Sequence, residues 1–264
     1  MRFDPRHWPV SHPFFLLLSG ALAALAMPPV DWPFMLVPMM MHAIWLLDHI
    51  KGRRQSVFAK MRAGFAGGWL LAFGYFTAGL WWLAYAFLVE PDQFALLIPL
   101  GVFGLPAVLA VFVGLAFVVC LFFWTHRISR LLTFAAVLGL AELVRGVAFT
   151  GLPWNSFGLA LASVAAWAQT ASLVGQPGLT VLAIAFAATP VIVFESGIKW
   201  PHKVAVLLGV AAVLGFITMA GLWRLSAHPP AFVKNIRLRV LQPNISQDEK
   251  FTPAHRYEIM RTYL

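Results

Sequence analysis

The sequence predicts an all-α polytopic membrane bundle of about seven transmembrane helices, followed by the first β–α unit of an α/β domain outside the bilayer. Three observations predict it. Hydrophobic residues fill 61% of the 264 positions and charged residues only 11%, where a soluble domain carries roughly a quarter charged. The mean hydropathy is +0.80, so polar surface is too scarce to cover a water-soluble globule and most of the chain must face lipid or other apolar helices. After Trp223 the apolar runs stop and a tail of alternating, then charged, residues begins.

The spans can be taken in chain order. Met1 to Pro13 carries Arg2 and Arg6 with no small-residue cleavage site after it, so the run Phe14–Met27 reads as a retained membrane segment. Pro28-Pro29 ends it, since proline cannot continue a helix. The run Pro33–Leu47 is also shorter than the ~20 residues a comfortable crossing needs, so these two are short tilted spans or a re-entrant pair. Asp48 to Arg62 is the most basic short loop, with Lys51, Arg53, Arg54, Lys60 and Arg62. The third span, Ala63–Val89, opens with Gly64 and Gly68, a pair that lets helix backbones approach. It closes on Trp81, Trp82 and Tyr85, an interfacial aromatic belt. The fourth, Phe94–Trp124, is too long for the bilayer core and is expected to tilt, kink at Pro106 or start outside. The fifth is Leu131–Phe149. Ser156 to Pro177, with Trp167 and Gln169, reads as an interfacial helix. Spans six and seven are Gly178–Phe194 and Val204–Trp223.

Eleven Lys and Arg fall on one side of this arrangement and one, Arg145, on the other. The positive-inside rule then makes the N-terminus cytoplasmic and, after seven crossings, the tail extracytoplasmic. In that tail 235–240 alternates as a half-buried strand does. Thr252-Pro253 caps a helix running to Leu264 that buries Tyr257, Ile259 or Met260, and Leu264. One strand and one helix cannot bury a core, so the tail is expected to open a larger domain. The expected division is 1–230 for the helical domain and 231–264 for the start of the second.

The chemistry concentrates in Thr150-Gly151-Leu152-Pro153-Trp154-Asn155 and the preceding Glu142 and Arg145. Glu142 and Arg145 are three apart, share a helix face and can pair, and each alone in hydrocarbon is costly. They either anchor a lipid headgroup or brace the turn, or they are a helix-end pair with Arg145 snorkelling to the interface. Trp154 and Asn155 either line a lipid entry or serve as belt aromatic and turn cap. Cys120, the single cysteine, lies in an apolar run without an activating base. The eight histidines show no ligand spacing, and no phosphate loop, dinucleotide fingerprint or nucleophile elbow is present. No cofactor and no metal are expected, and the net charge of +9 reflects topology signals and not nucleic-acid binding.

Four stretches, in order, resemble the apolipoprotein N-acyltransferase family: Leu25-Ala26-Met27-Pro28-Pro29-Val30-Asp31-Trp32-Pro33, then Glu142-Leu143-Val144-Arg145, then Thr150 to Asn155 with Gly158, and Val240-Leu241-Gln242-Pro243-Asn244-Ile245. Leu152 departs from the Phe usual there. The resemblance implies seven helices, a periplasmic nitrilase-like domain and an inner (plasma) membrane location. It implies that a Cys of a Glu–Lys–Cys triad takes an acyl chain from phospholipid as a thioester and passes it to a diacylglyceryl-apolipoprotein, a two-step covalent scheme. No triad member maps onto this sequence, so these residues alone are expected to be inactive. The alternatives are a seven-span transporter or a lipid-binding scaffold without catalysis.

Overall fold

A computed structural model describes residues 9–88, 90–227, 235–245, 250 and 253–263. Helix α1, Pro13–Ala23, starts where the His12 ring accepts the Phe14 N–H and continues as a 3-10 turn over Ala24–Ala26. Proline at both ends keeps Pro13–Ala26 to ~21 Å, below the ~30 Å of a bilayer core. Among the described residues six other helices are long and apolar enough to cross a membrane. The expectation of about seven is corrected accordingly: by length, the first run is not one of them.

The second run gains what the first lacks. Its helix covers Pro33–Gly52, with α2 proper at Leu36–Gly52. It runs past Leu47 because Asp48 is not a stop: the carboxylate accepts Trp124 Nε1–H at 2.8 Å and lies 3.3 Å from Arg130. Helix α3, Val57–Leu80, begins at Ser56, whose Oγ accepts the Ala59 N–H, so Lys60 and Arg62 lie in helix and not in loop. It tightens into a 3-10 stretch over Trp81–Leu88.

The fourth span changes helix type upstream of the place where a kink was expected. Helix α4, Pro91–Phe94, is followed by a 3-10 turn and a π-turn over Leu100–Gly104 before α5, Leu105–Phe123. Pro106 sits at the start of α5, where its missing N–H is tolerated. The conflict of its ring with the preceding turn is absorbed by the π-turn.

Helix α6, Arg130–Val147, carries the candidate pair. The expected interfacial helix is instead two short ones, α7 (Leu159–Ala162) and α8 (Ala165–Ala168). Helix α9, Ala171–Ala188, starts earlier than expected and is broken at Gly175, where φ is 68°. Helix α10, Trp200–Ala227, is buried only at Lys203, Ile217 and Gly221. Trp167 and Gln169 hold it: Trp167 Nε1–H donates to Thr218 Oγ1 at 2.8 Å, and Gln169 Oε1 accepts from Arg224.

The bundle is built around α3, which packs on α1 and α5, while α6 lies between α5 and α9, and α2 touches α1, α3 and α9. Gly64 and Gly68 do face α5, where an added Cβ would enter Leu121 and Phe117. Gly74 admits the α1 backbone at Leu17 in the same way. Tyr75, Phe76, Phe117, Phe134 and Phe157 fill the centre.

The tail corrects a second expectation. No strand occurs among the described residues, and 235–245 has no regular structure. An alternating segment needs a neighbour to pair with, and none is described here. The helix is present at Arg256–Tyr263, after a 3-10 turn at Pro253–His255. It buries nothing, with Tyr257 and Met260 exposed and Ile259 half-buried. Thr252 and Leu264 lie outside the described residues.

Candidate functional site

At the C-terminal end of α6 the chain must leave a helix and cross to α7 while staying packed against α3. It does so through consecutive left-handed residues: φ is 53° at Phe149, 78° at Thr150 and 85° at Gly151. Such angles cost of order 1–3 kcal/mol each for a residue with a Cβ. Only glycine fits at 151, because an added Cβ would run into the Gly146 carbonyl. Gly151 N–H donates to Ala148 O at 2.8 Å.

Arg145 holds the rest of the turn. Its Nε and Nη2 donate to the two oxygens of Glu142 at 2.9 and 2.8 Å, a bidentate pair within one helix face. Its Nη1 donates to two turn carbonyls, Leu152 O at 2.6 Å and Trp154 O at 3.0 Å. The guanidinium carbon also lies 5.0 Å from the Phe76 ring centre. Arg145 is 1% exposed and Glu142 5%. Arg145 therefore does not reach to the surface: the planar fork faces inward, with one edge on the carboxylate and one nitrogen on the main chain.

Asn155 is the second fixed point. Its carbonyl accepts Tyr75 O–H at 2.8 Å, and its own φ is 50°. Its side-chain Nδ2 is buried against Gly79 without a hydrogen-bond partner, as is Thr77 Oγ1 on the same helix. Ser156 and Thr180 share a hydrogen bond at 3.0 Å that ties the turn to α9. Trp154 stays 42% exposed and lies 5.2 Å from Trp82, tilted by 38°. With Trp81 and Tyr85 it makes an aromatic ledge at this end of the bundle.

Glu142, Arg145, Trp154 and Asn155, singled out from the sequence, thus meet in one place. Leu152 contributes through its carbonyl, so the exchange of Phe for Leu leaves the arginine contact unaltered. The sequence reading missed Tyr75, Phe76 and Gly79. A tyrosine inside an apolar helix was the available signal, because a buried phenol needs a partner.

A second polar cluster closes the other end of α6 and was also missed. Arg130, 2% exposed, pairs with Glu195 and with Asp48. His126 lies 3.7 Å from Asp48. Among the described residues no group of His, Cys, Asp and Glu is arranged to hold a metal ion. Cys120 is fully buried in α5.

The profile of the apolipoprotein N-acyltransferase N-terminal domain matches residues 19–189, which takes in the whole of α6 and the turn. An apolipoprotein N-acyltransferase of Rhodopseudomonas palustris is 39% identical over 259 residues, covering 97% of this chain and 47% of its own length. Those of Bradyrhizobium diazoefficiens and Agrobacterium fabrum are 39% and 33% identical, again over 97% of this chain. The chain spans about half the length of the curated relatives it matches.

Proposed function

Because the chain belongs to the family of apolipoprotein N-acyltransferase N-terminal domains, we propose that it is the membrane portion of an acyltransferase that modifies lipoproteins. In the proposed reaction a cysteine thiolate attacks an acyl ester of a membrane phospholipid, giving a thioester and a lysophospholipid. The α-amino group of a diacylglyceryl-cysteine then attacks the thioester, forming an amide and returning the thiol. Neither step is assigned to Cys120. A nucleophilic thiol needs an activating base or cation beside it, and Cys120 is enclosed by apolar side chains of α5 and its neighbours.

The work left to these residues is positional. We propose that the braced turn and its aromatic ledge form the rim along which phospholipid approaches from the side, beneath a nitrilase-like domain that the tail begins. The observation that carries this reading is the double commitment of Arg145. A buried cation that bonds both Glu142 and two turn carbonyls holds Trp154 outward beside Trp82 at a bundle end. Tryptophan pairs of this kind suit the headgroup level of a bilayer. With the positive-inside rule, the basic end faces the cytoplasm of the inner membrane and the ledge faces the periplasm.

Photolabelling tests the reading. A phospholipid carrying a photoactivatable group near its ester, in proteoliposomes of this protein, is expected to label the segments bearing Trp82 and Trp154. Label confined to α10 and the other lipid-facing helices would overturn the rim. An acyl-thioester on Cys120 would overturn the division of labour.

A further inference from the structure

At the bundle end opposite the turn, the last turn of α2, the first turns of α3 and the end of α5 enclose a cleft of about 260 Å³ lined by Lys51, Val57, Lys60, Met61, Leu121 and Phe122. Two ammonium groups stand at it, each held by a main-chain carbonyl. Lys51 Nζ donates to Leu121 O and Lys60 Nζ to Lys51 O, both at 2.9 Å. Those bonds place the two heads but use one of three N–H donors on each. Neither lysine pairs with a carboxylate among the described residues. Two cations at one cleft thus have no carboxylate partner among the described residues, an arrangement that an external anion relieves.

The rest of the lining identifies which anion. Val57 and Phe122 are 67% and 61% exposed, so apolar side chains of α3 and α5 stand at the open side of the cleft. A soluble phosphate would leave that apolar wall bare. A glycerophosphate group fits a space of this size, with its acyl chains continuing over Val57 and Phe122. Basic recesses between transmembrane helices at the basic face of a membrane protein are suited to anionic headgroups.

We propose that this cleft binds the headgroup of an anionic phospholipid, with Lys51 and Lys60 on its phosphate. The site is independent of the acyl-transfer reading, since it lies at the far end of the bundle from Glu142 and Arg145 and touches none of the residues placed there. A lipid held here would clamp α2, α3 and α5 at their ends, where main-chain carbonyls already hold the lysine heads.

The test uses the protein purified in neutral detergent, with phosphatidylglycerol or phosphatidylcholine added and bound lipid read by native mass spectrometry. The wild-type protein is expected to retain phosphatidylglycerol over phosphatidylcholine. Lys51→Gln with Lys60→Gln is expected to weaken retention roughly ten- to thirtyfold. Lys51→Arg with Lys60→Arg keeps both charges and retains it. Arg53 and Arg54, exposed and outside the cleft, serve as the control: Arg53→Gln with Arg54→Gln is expected to cost under about threefold, less than the lysine pair. In the unmutated protein, phosphatidylglycerol is expected to protect Lys51 and Lys60 from an amine-reactive reagent, and inorganic phosphate is not. This arm stands even where the glutamine pair does not fold. Equal retention of the two lipids, equal loss with the Arg53 and Arg54 pair, or protection by inorganic phosphate would each overturn the proposal.

Discussion

The two ends of α6 solve the same problem in different ways. Each places an almost fully buried arginine, Arg130 at one end and Arg145 at the other, some 22 Å apart along the helix. Arg145 takes its carboxylate from its own helix, three residues back, and gives Nη1 to two carbonyls of the turn after it. Arg130 takes its carboxylates from elsewhere: Asp48 on α2 and Glu195, 65 residues on, beyond α9. It leaves its Nε without a partner. One arginine therefore shapes a local turn, and the other ties three segments of the bundle together. The two carboxylates at Arg130 are 22% and 25% exposed, whereas the Glu142 side chain is 2% exposed. Water can take over from Arg130 in part and from Arg145 hardly at all.

That difference ranks the expected effects of substitution. Arg145→Ala strands a buried carboxylate and two carbonyls, and is expected to cost about 3–5 kcal/mol. Thermal unfolding in detergent would read it, and Arg145→Lys should recover little, because an ammonium cannot serve both the carboxylate and the turn. Arg130→Ala leaves its carboxylates partly hydrated, with Asp48 still bonded to Trp124, and is expected to cost about 2 kcal/mol. An equal or larger loss at Arg130 would break the comparison. Gly151→Ala places a Cβ against the Gly146 carbonyl at a left-handed φ, for about 1–3 kcal/mol. Tyr75→Phe removes one buried bond to the Asn155 carbonyl, for about 1 kcal/mol. Leu152→Phe leaves the arginine contact intact, and its melting curve is expected to stay within about 1 kcal/mol of wild type.

The same contrast explains what could be read beforehand. Glu142 and Arg145 were legible because their pairing needs only helical spacing. The Gly151 turn was legible because glycine and proline mark such places locally. Asp48 ended α2 too early because a lone charge looks like a boundary until its partners, just past the end of α5 and on α6, are known. Trp167 and Gln169 looked interfacial because nothing in their neighbourhood names Thr218 and Arg224 on α10. The length of the first run was visible in its prolines. Whether 235–240 pairs as a strand was not, since a strand is completed by a neighbour outside its own segment.

The division between a local brace and a long-range tie is tested most directly by amide hydrogen exchange. The peptide spanning Ala148 to Gly158 can be compared between wild type and Arg145→Lys, with the α6 peptide from Leu131 to Ala141 as internal reference. Exchange at least about tenfold faster in the turn peptide, with the reference unchanged, is the expected result, corresponding to a local loss above ~1.4 kcal/mol. Unchanged exchange in the turn, or an equal rise in both peptides, would contradict the role given to Arg145.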